Sequence, residues 1–355
     1  MSLGSLGFLS AFNGGVCSFA YGASSVLVST EVELVNAINN ASGPLTITLD
    51  NDIIIANSSL IIPPNKDITL TSNRADGFYK LIGTISIHNG GTLRLAGVIV
   101  THVNDAWGCG VIVYLGGQLF MSDGEIIGNY AMLGGGGGVS VYGSFTLTGG
   151  KISNNTAHYG GGGVSVKYGG SFTMTGGIIA NNKAMYTNAH GTNVYGSGGG
   201  IDVYEGLFSM SGGNILGNTA QYGGGVYVAS EGSFSMSGGN ISDNAVLADS
   251  NNYSGFGGGV FLYSSTFINK TGGNISNNTG GDMYTYNDKP QNNSNLSTDN
   301  TRLTSNDPNN EPLDNNKNSF SLNNAIITCI SILAITMGTI MSIRTFKKSR
   351  TNLLT

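Results

Sequence analysis

From Leu119 to Asn278 the apolar positions come in short bursts separated by glycines and small polar residues. Each burst alternates apolar and polar side chains, the mark of a strand with one buried face. Val139-Ser140-Val141 and Phe145-Thr146-Leu147 both read in-out-in, and a third, shorter burst is centred on Ile152. The three bursts recur as a unit. Phe145 to Asn155 is matched by Phe172 to Asn182, Phe208 to Asn218 and Phe234 to Asn244, with degraded copies from Leu119 to Asn129 and from Phe267 to Asn278. The shared frame is Phe-x-Met-Ser/Thr-Gly-Gly-x-Ile-x-x-Asn. Its second glycine falls at Gly124, Gly150, Gly177, Gly213, Gly239 and Gly273, so the step is 26 or 27 residues, stretched twice to 36 and 34. A fixed period of this kind means one supersecondary unit stacked on itself.

Three short strands that turn sharp corners and return after one period predict an all-β fold, a parallel β-helix with three strands per coil. A propeller blade needs a longer period and a leucine-rich repeat needs a leucine frame that is absent here. In the β-helix, Val111, Val139, Val164, Ile201, Val226 and Val260 begin equivalent strands, and the valines stack inward. Ile152, Ile179, Ile215, Ile241 and Ile275 make a second inward stack. Asn129, Asn155, Asn182, Asn218, Asn244 and Asn278 each lie five residues after the second glycine. Stacking brings these amides into register as a structural ladder, each NH2 reaching the next carbonyl oxygen.

A β-helix must cover its open end. Thr30-Glu31-Val32-Glu33 reads as a capping box, and Leu34, Val35, Ile38 and Ala41 form one apolar helix face that Gly43 and Pro44 terminate. A capping helix over about 30–41 is expected across the first coil. Leu45 to Leu49, Ile53 to Ile55, Ile68 to Thr71 and Thr92 to Leu95 are read as early, irregular coils, which places the β-helix over 24–285.

The remaining segments have other compositions. Ala325 to Ile343 is an uncharged apolar run followed by Arg344, Lys347, Lys348 and Arg350. As a helix it would rise about 28 Å, close to the hydrocarbon thickness of a bilayer. The expectation is one membrane span over 325–343, a basic cytoplasmic tail over 344–355 and repeats on the outer side. Residues 286–324 are rich in Asn, Ser, Asp and Thr and contain Pro290, Pro308 and Pro312, as a flexible stalk would. Residues 1–23 are apolar and small, a weak signal segment, since the first basic residue of the chain is Lys66.

Charged residues are only 10% of the chain and the net charge is −5. The repeats carry no basic stripe, which argues against nucleic acid as a partner. The three cysteines, Cys17, Cys109 and Cys329, are scattered and make no disulfide framework, and the four histidines show no metal-ligand spacing. No metal and no cofactor is expected.

The Gly-Gly-x-Ile-x-x-Asn repeats and the Gly-Gly-Gly-Val clusters resemble the polymorphic outer-membrane-protein and adhesin-like right-handed β-helix families over about residues 30–285. The resemblance implies a right-handed coil and a surface-displayed adhesin or passenger-like domain. The chain departs from the outer-membrane version in ending on a single apolar run instead of the alternating strands of a barrel. Membrane-anchored adhesin-like proteins of single-membrane cells are the nearer comparison.

Two sets of residues qualify as a binding surface. Both long steps insert residues at the same point of the repeat, at about Lys183 to Ser197 and Ala245 to Phe256, carrying Tyr186, His190, Tyr195, Tyr253 and Phe256. Insertions on one face of a solenoid often form its binding surface. The second set is the column after the valine strand: Tyr114, Tyr142, Lys167, Tyr204, Ala229 and Tyr263. Exposed aromatics stack on sugar rings or anchor a protein partner. Catalysis has less material. Glycoside hydrolysis needs two carboxylates across a cleft, and the candidates are Asp202, Glu205 and Glu231, read as solvated surface groups, with no catalytic residue assigned. Adhesion to glycans or a surface partner is the leading expectation. A polysaccharide lyase or hydrolase, and a passive coat spacer, are the rivals.

Overall fold

The computed structural model describes residues 24–286, apart from 104–107, 133–134, 188–192, 195, 249–254 and 264–265. The signal, stalk, membrane-span and tail segments expected at 1–23, 286–324, 325–343 and 344–355 lie outside the described residues, Tyr286 excepted. No helix among the described residues is long and apolar enough to cross a membrane.

The chain is mostly β, built on one large parallel pairing network, an arrangement compatible with a β-helix or solenoid. The register follows the repeat. Val111, Val139, Val164, Ile201, Val226, Val260 and Met283 face one another in turn on a valine face. Leu119, Phe145, Phe172, Phe208, Phe234 and Ile268 do so on a phenylalanine face. Ile126, Ile152, Ile179, Ile215, Ile241 and Ile275 make an isoleucine face. The inward side chains are nearly all fully buried, and together they make one continuous core. Phe145, Phe172, Phe208 and Phe234 stack ring on ring with centroids 4.7, 5.1 and 4.9 Å apart. The spacing matches the distance between paired strands, so one aromatic per repeat gains a stacking partner on each side.

The glycine pair of the motif has two separate causes. A Cβ on the first glycine would meet the carbonyl oxygen of the preceding repeat, at 2.3 Å for Gly212 against Thr175. The second glycine holds a positive φ, +86° at Gly213, a region that L side chains rarely adopt. The residue before each ladder asparagine is also left-handed. Asn154, Asn181, Asp243 and Asn277 fill four of these positions and Gly128 and Gly217 the other two. Asn and Asp tolerate this region best after glycine, which explains the repeated Asn-Asn.

Helix Glu31–Asn40 forms as expected, with Glu33 N–H donating to Thr30 Oγ1 and Thr30 N–H to Glu33 Oε2. Leu34 and Ile38 are buried against the first strands. Lys66 Nζ donates to the carbonyls of Asn39 and Ala41, satisfying the free end of the helix.

Three readings need correction. A strand, Ser24–Val28, precedes the helix and pairs with Leu45–Leu49. It has only one strand neighbour, so four of its five residues stay exposed and only Val28 is buried. The early strands are longer than expected, and register shifts at Ile54/Ser59 and Leu95/Ala96 bear out their irregularity. Ile53–Ile62 bends round a corner and pairs with Lys80–Ile87 on two faces. In the last repeat the phenylalanine stands one position early: Ile268, eight residues after Val260 as Phe234 is after Val226, faces Phe234, and Phe267 faces Ser233. The phenylalanine stack therefore ends at Phe234.

Candidate functional site

The corner between the valine and phenylalanine faces carries an aromatic edge. Each valine strand ends one or two residues before it, and glycines such as Gly143, Gly169 and Gly170 return the chain into the next strand. Tyr142 stacks on Tyr168 with centroids 6.2 Å apart and planes 12° off parallel. Tyr168 meets Tyr204 edge-on at 5.7 Å. His88 and Tyr114 make a further edge-on pair at 5.3 Å, and Tyr263 stacks on Tyr286 at 5.3 Å. Tyr114 and Tyr168 are 43% and 52% exposed, and Tyr142 and Tyr204 are half-buried. Burial pushes the Tyr142 phenol above its usual pKa, helped by the neighbouring Tyr168. Burial, then Tyr204 and Glu205, does the same at Tyr168.

The expected column is thus brought together at Tyr114, Tyr142, Tyr204 and Tyr263, and Ala229 leaves a gap. Tyr168 was missed. Lys167 does hold the register position opposite Tyr204, but its corner is longer, and Tyr168 turns left-handed at φ 51° to place its own ring in the edge. The only sequence cue was the tyrosine directly before Gly169-Gly170.

Beside this edge lies the outer side of the phenylalanine face. Thr146, Thr173, Ser209, Ser235 and Asn269 pair rung by rung. Thr148, Thr175, Ser211, Ser237 and Thr271 follow two residues on, just past the ends of the same strands. Ser235 Oγ donates to Ser209 Oγ at 3.0 Å. A shallow cavity of about 210 Å³ opens among these hydroxyls, beside Met210 and Met236, whose side chains are buried in the core.

The insertions sit elsewhere, at the corner between the isoleucine and valine faces. Lys183, Thr219 and Ala245 are successive rungs of a short parallel ladder, and Ser197, Tyr222 and Phe256 form matching bridges. The two roots are two rungs apart, about 10 Å. The first insertion begins and ends as an antiparallel pair, Tyr186 opposite Val194. Phe256 stacks on Tyr284 at 4.7 Å. His190, Tyr195 and Tyr253 lie outside the described residues. The whole valine face separates this corner from the aromatic edge, so the two candidate sets do not merge.

The carboxylates occupy different surroundings. Asp202, expected on the solvated surface, is 5% exposed. Its side chain does point away from the core, but the glycine corners of neighbouring repeats cover that side. A Cβ on Gly160 would meet Asp202 Cγ at 3.0 Å. Ser165 and Ser197 donate to its two oxygens at 3.3 and 3.2 Å. Burial pushes its pKa up, offset in part by Lys167 and the two hydroxyls. Glu205 and Glu231 are exposed, left-handed corner residues. Among the described residues no three His, Cys, Asp or Glu side chains gather as a metal site.

The asparagine column is a closed hydrogen-bond ladder. Asn129, Asn155, Asn182, Asn218 and Asn244 each donate Nδ2–H to the Oδ1 of the next asparagine at 2.8–3.0 Å. Each Oδ1 so used also takes the backbone N–H of the preceding asparagine, as Asn218 Oδ1 does from Asn182 at 2.9 Å. His102 Nδ1 donates to Asn129 Oδ1 at 2.7 Å and begins the ladder. The column therefore holds repeats together and leaves no amide for a ligand. No family model, no curated protein and no solved structure matches the chain.

Proposed function

We propose that this chain is a right-handed parallel β-helix displayed at a cell surface, anchored by the apolar run Ala325 to Ile343, and that it binds glycans. The three pairing faces, each advancing by one repeat, support the β-helix reading. The observation that carries the binding reading is the exposed aromatic edge Tyr142–Tyr168–Tyr204. Tyrosine offers an apolar face to sugar C–H groups and a hydroxyl to their oxygens. The ladder and the core already satisfy the needs of folding, whereas Tyr168 keeps half its surface in water in a left-handed conformation that disfavours side chains. A glycan array probed with the full chain in detergent tests this. Binding that is lost in a Tyr168→Ala, Tyr204→Ala double variant of unchanged melting temperature supports the reading. Retention of only protein partners, with no glycan bound, overturns it.

A further inference from the structure

We infer that the ligand of this surface is an uncharged, extended glycan chain lying parallel to the stack of repeats, along the aromatic edge and the hydroxyl face beside it. The inference rests on the glycan-binding reading and adds the ligand's charge and shape.

Charge comes first. The segments that build the face, each a strand with the two residues after it, 144–149, 171–176, 207–212 and 233–238, contain no charged residue. The nearest corners present Glu205 and Glu231 to solvent. A uronic-acid or sulfated polymer would lose hydration on these four segments without gaining a cationic partner there, and would meet two carboxylates, while Lys167 in the corner column already acts on the buried Asp202 carboxylate. Two cations border these four rungs: Lys270, in the last repeat, donates to Gly273 O at 3.2 Å, and Arg94, two rungs before Thr146, is paired with Asp67 at 3.1 Å.

Hydrogen-bonding capacity points the same way. Ser and Thr hydroxyls both donate and accept and can rotate to suit, as sugar hydroxyls require. The cavity between Thr173 and Thr271 gathers the hydroxyl-bearing residues Thr173, Ser209, Ser211, Ser235 and Ser237 around one hollow. At about 210 Å³ the cavity is smaller than the roughly 300 Å³ at which self-sufficient ligand pockets begin. It serves as a landing place for part of a longer molecule.

Shape follows from repetition. The same hydroxyl pair recurs at four successive rungs, Thr146/Thr148 to Ser235/Ser237, about 4.8 Å apart, and rings follow one another along the adjacent corner. A linear polymer running along the axis meets equivalent groups at successive rungs, and its affinity multiplies with the number engaged. A monosaccharide or a compact branched glycan reaches one or two rungs only.

The test uses the full chain in detergent, with linear neutral β-glucan oligosaccharides of increasing length and, as the acidic arm, oligogalacturonates of matched length. Expected results are binding of the neutral series that strengthens with length, little change between low and high salt, and much weaker binding of the acidic series. A Ser209→Lys, Ser235→Lys variant should weaken the neutral ligand about tenfold, as loss of a central contact does, and gain affinity for the acidic one. Circular dichroism and melting temperature check that the variant folds. Preference for the acidic series, no dependence on length, or indifference to both lysines overturns this inference while leaving glycan binding intact. Binding of no glycan from either series, together with a blank array, overturns the underlying reading and this inference with it.

Discussion

Asn278 donates its side-chain Nδ2–H to Asp282 Oδ1 at 2.9 Å, and its backbone N–H goes to the same oxygen at 3.0 Å. Asp282 thereby supplies the acceptor that a further asparagine would have provided. Replacing Asp282 by Ala should leave the backbone N–H of this 9%-exposed asparagine without its acceptor, while Nδ2 keeps the carbonyls of Ile241 and Ser276. The expected loss is about 1–3 kcal/mol, felt in the last repeat. Asp282→Asn keeps an amide oxygen in place and should restore most of it. Hydrogen exchange of the amides around Asn274 to Asn278 reads the difference, and equal protection in wild type and Asp282→Ala would refute the capping role.

Asn218 sits in the middle of the ladder, fully buried. It donates to Asn244 Oδ1 and Ile179 O, each at 2.9 Å, and accepts two bonds from Asn182. Asn218→Ala removes the partners of donors and an acceptor that have no water to turn to. A destabilisation of about 3–5 kcal/mol is expected in urea unfolding. Asn240→Ala makes the control, because its amide bond to Asn214 at 3.1 Å lies on the exposed surface. A loss under about 1 kcal/mol is expected there.

Gly212→Ala should destabilise by about 1–3 kcal/mol or more, since its Cβ would press on Thr175 O at 2.3 Å and the backbone cannot yield without separating two repeats. Ser211→Ala, one residue away and exposed, should change the melting temperature little. Equal effects from the two would mean that the close approach of neighbouring repeats does not require the first glycine.

Asp202 sets a pH dependence whose sign is fixed by its burial. Its folded pKa lies above the unfolded value, so the folded state binds that proton more tightly. Relative stability is highest at pH below the ordinary carboxylate range and falls as pH rises through that range to the raised folded value. Asp202→Asn removes the buried charge while leaving an oxygen for Ser165 and Ser197. The variant should be more stable than wild type at neutral pH, and the gap should close as the pH is lowered. Urea midpoints at a series of pH values measure it, and a gap independent of pH would contradict the assignment.

Much of the architecture is legible in the chain because it depends on spacing within one repeat. The valine and isoleucine columns, the glycine pair, the asparagine ladder and the Thr30–Glu33 capping box each occupy a constant offset, and equal offsets stack into register whatever the surroundings. The features that escaped depend on corner length and on how one repeat meets the next. Tyr168 enters the aromatic edge because its corner is longer than that of Tyr142. Phe267 takes the register position of Ser233, because Ile268, five residues before Gly273, holds the place of Phe234. Asp202 is buried because segments from other repeats, Gly160 and Ser197 among them, close over it.

The candidate site divides along the same line. Tyr114, Tyr142, Tyr204 and Tyr263 could be found by counting, and their alternation with the strands marks them as facing away from the core. That their edge borders a charge-free hydroxyl face, and stands a full face away from the two insertions, could not. Counting along the chain orders residues within a repeat. Which groups share a surface depends on the angles of the corners, and those angles arise from backbone conformations and packing between repeats that no local spacing records.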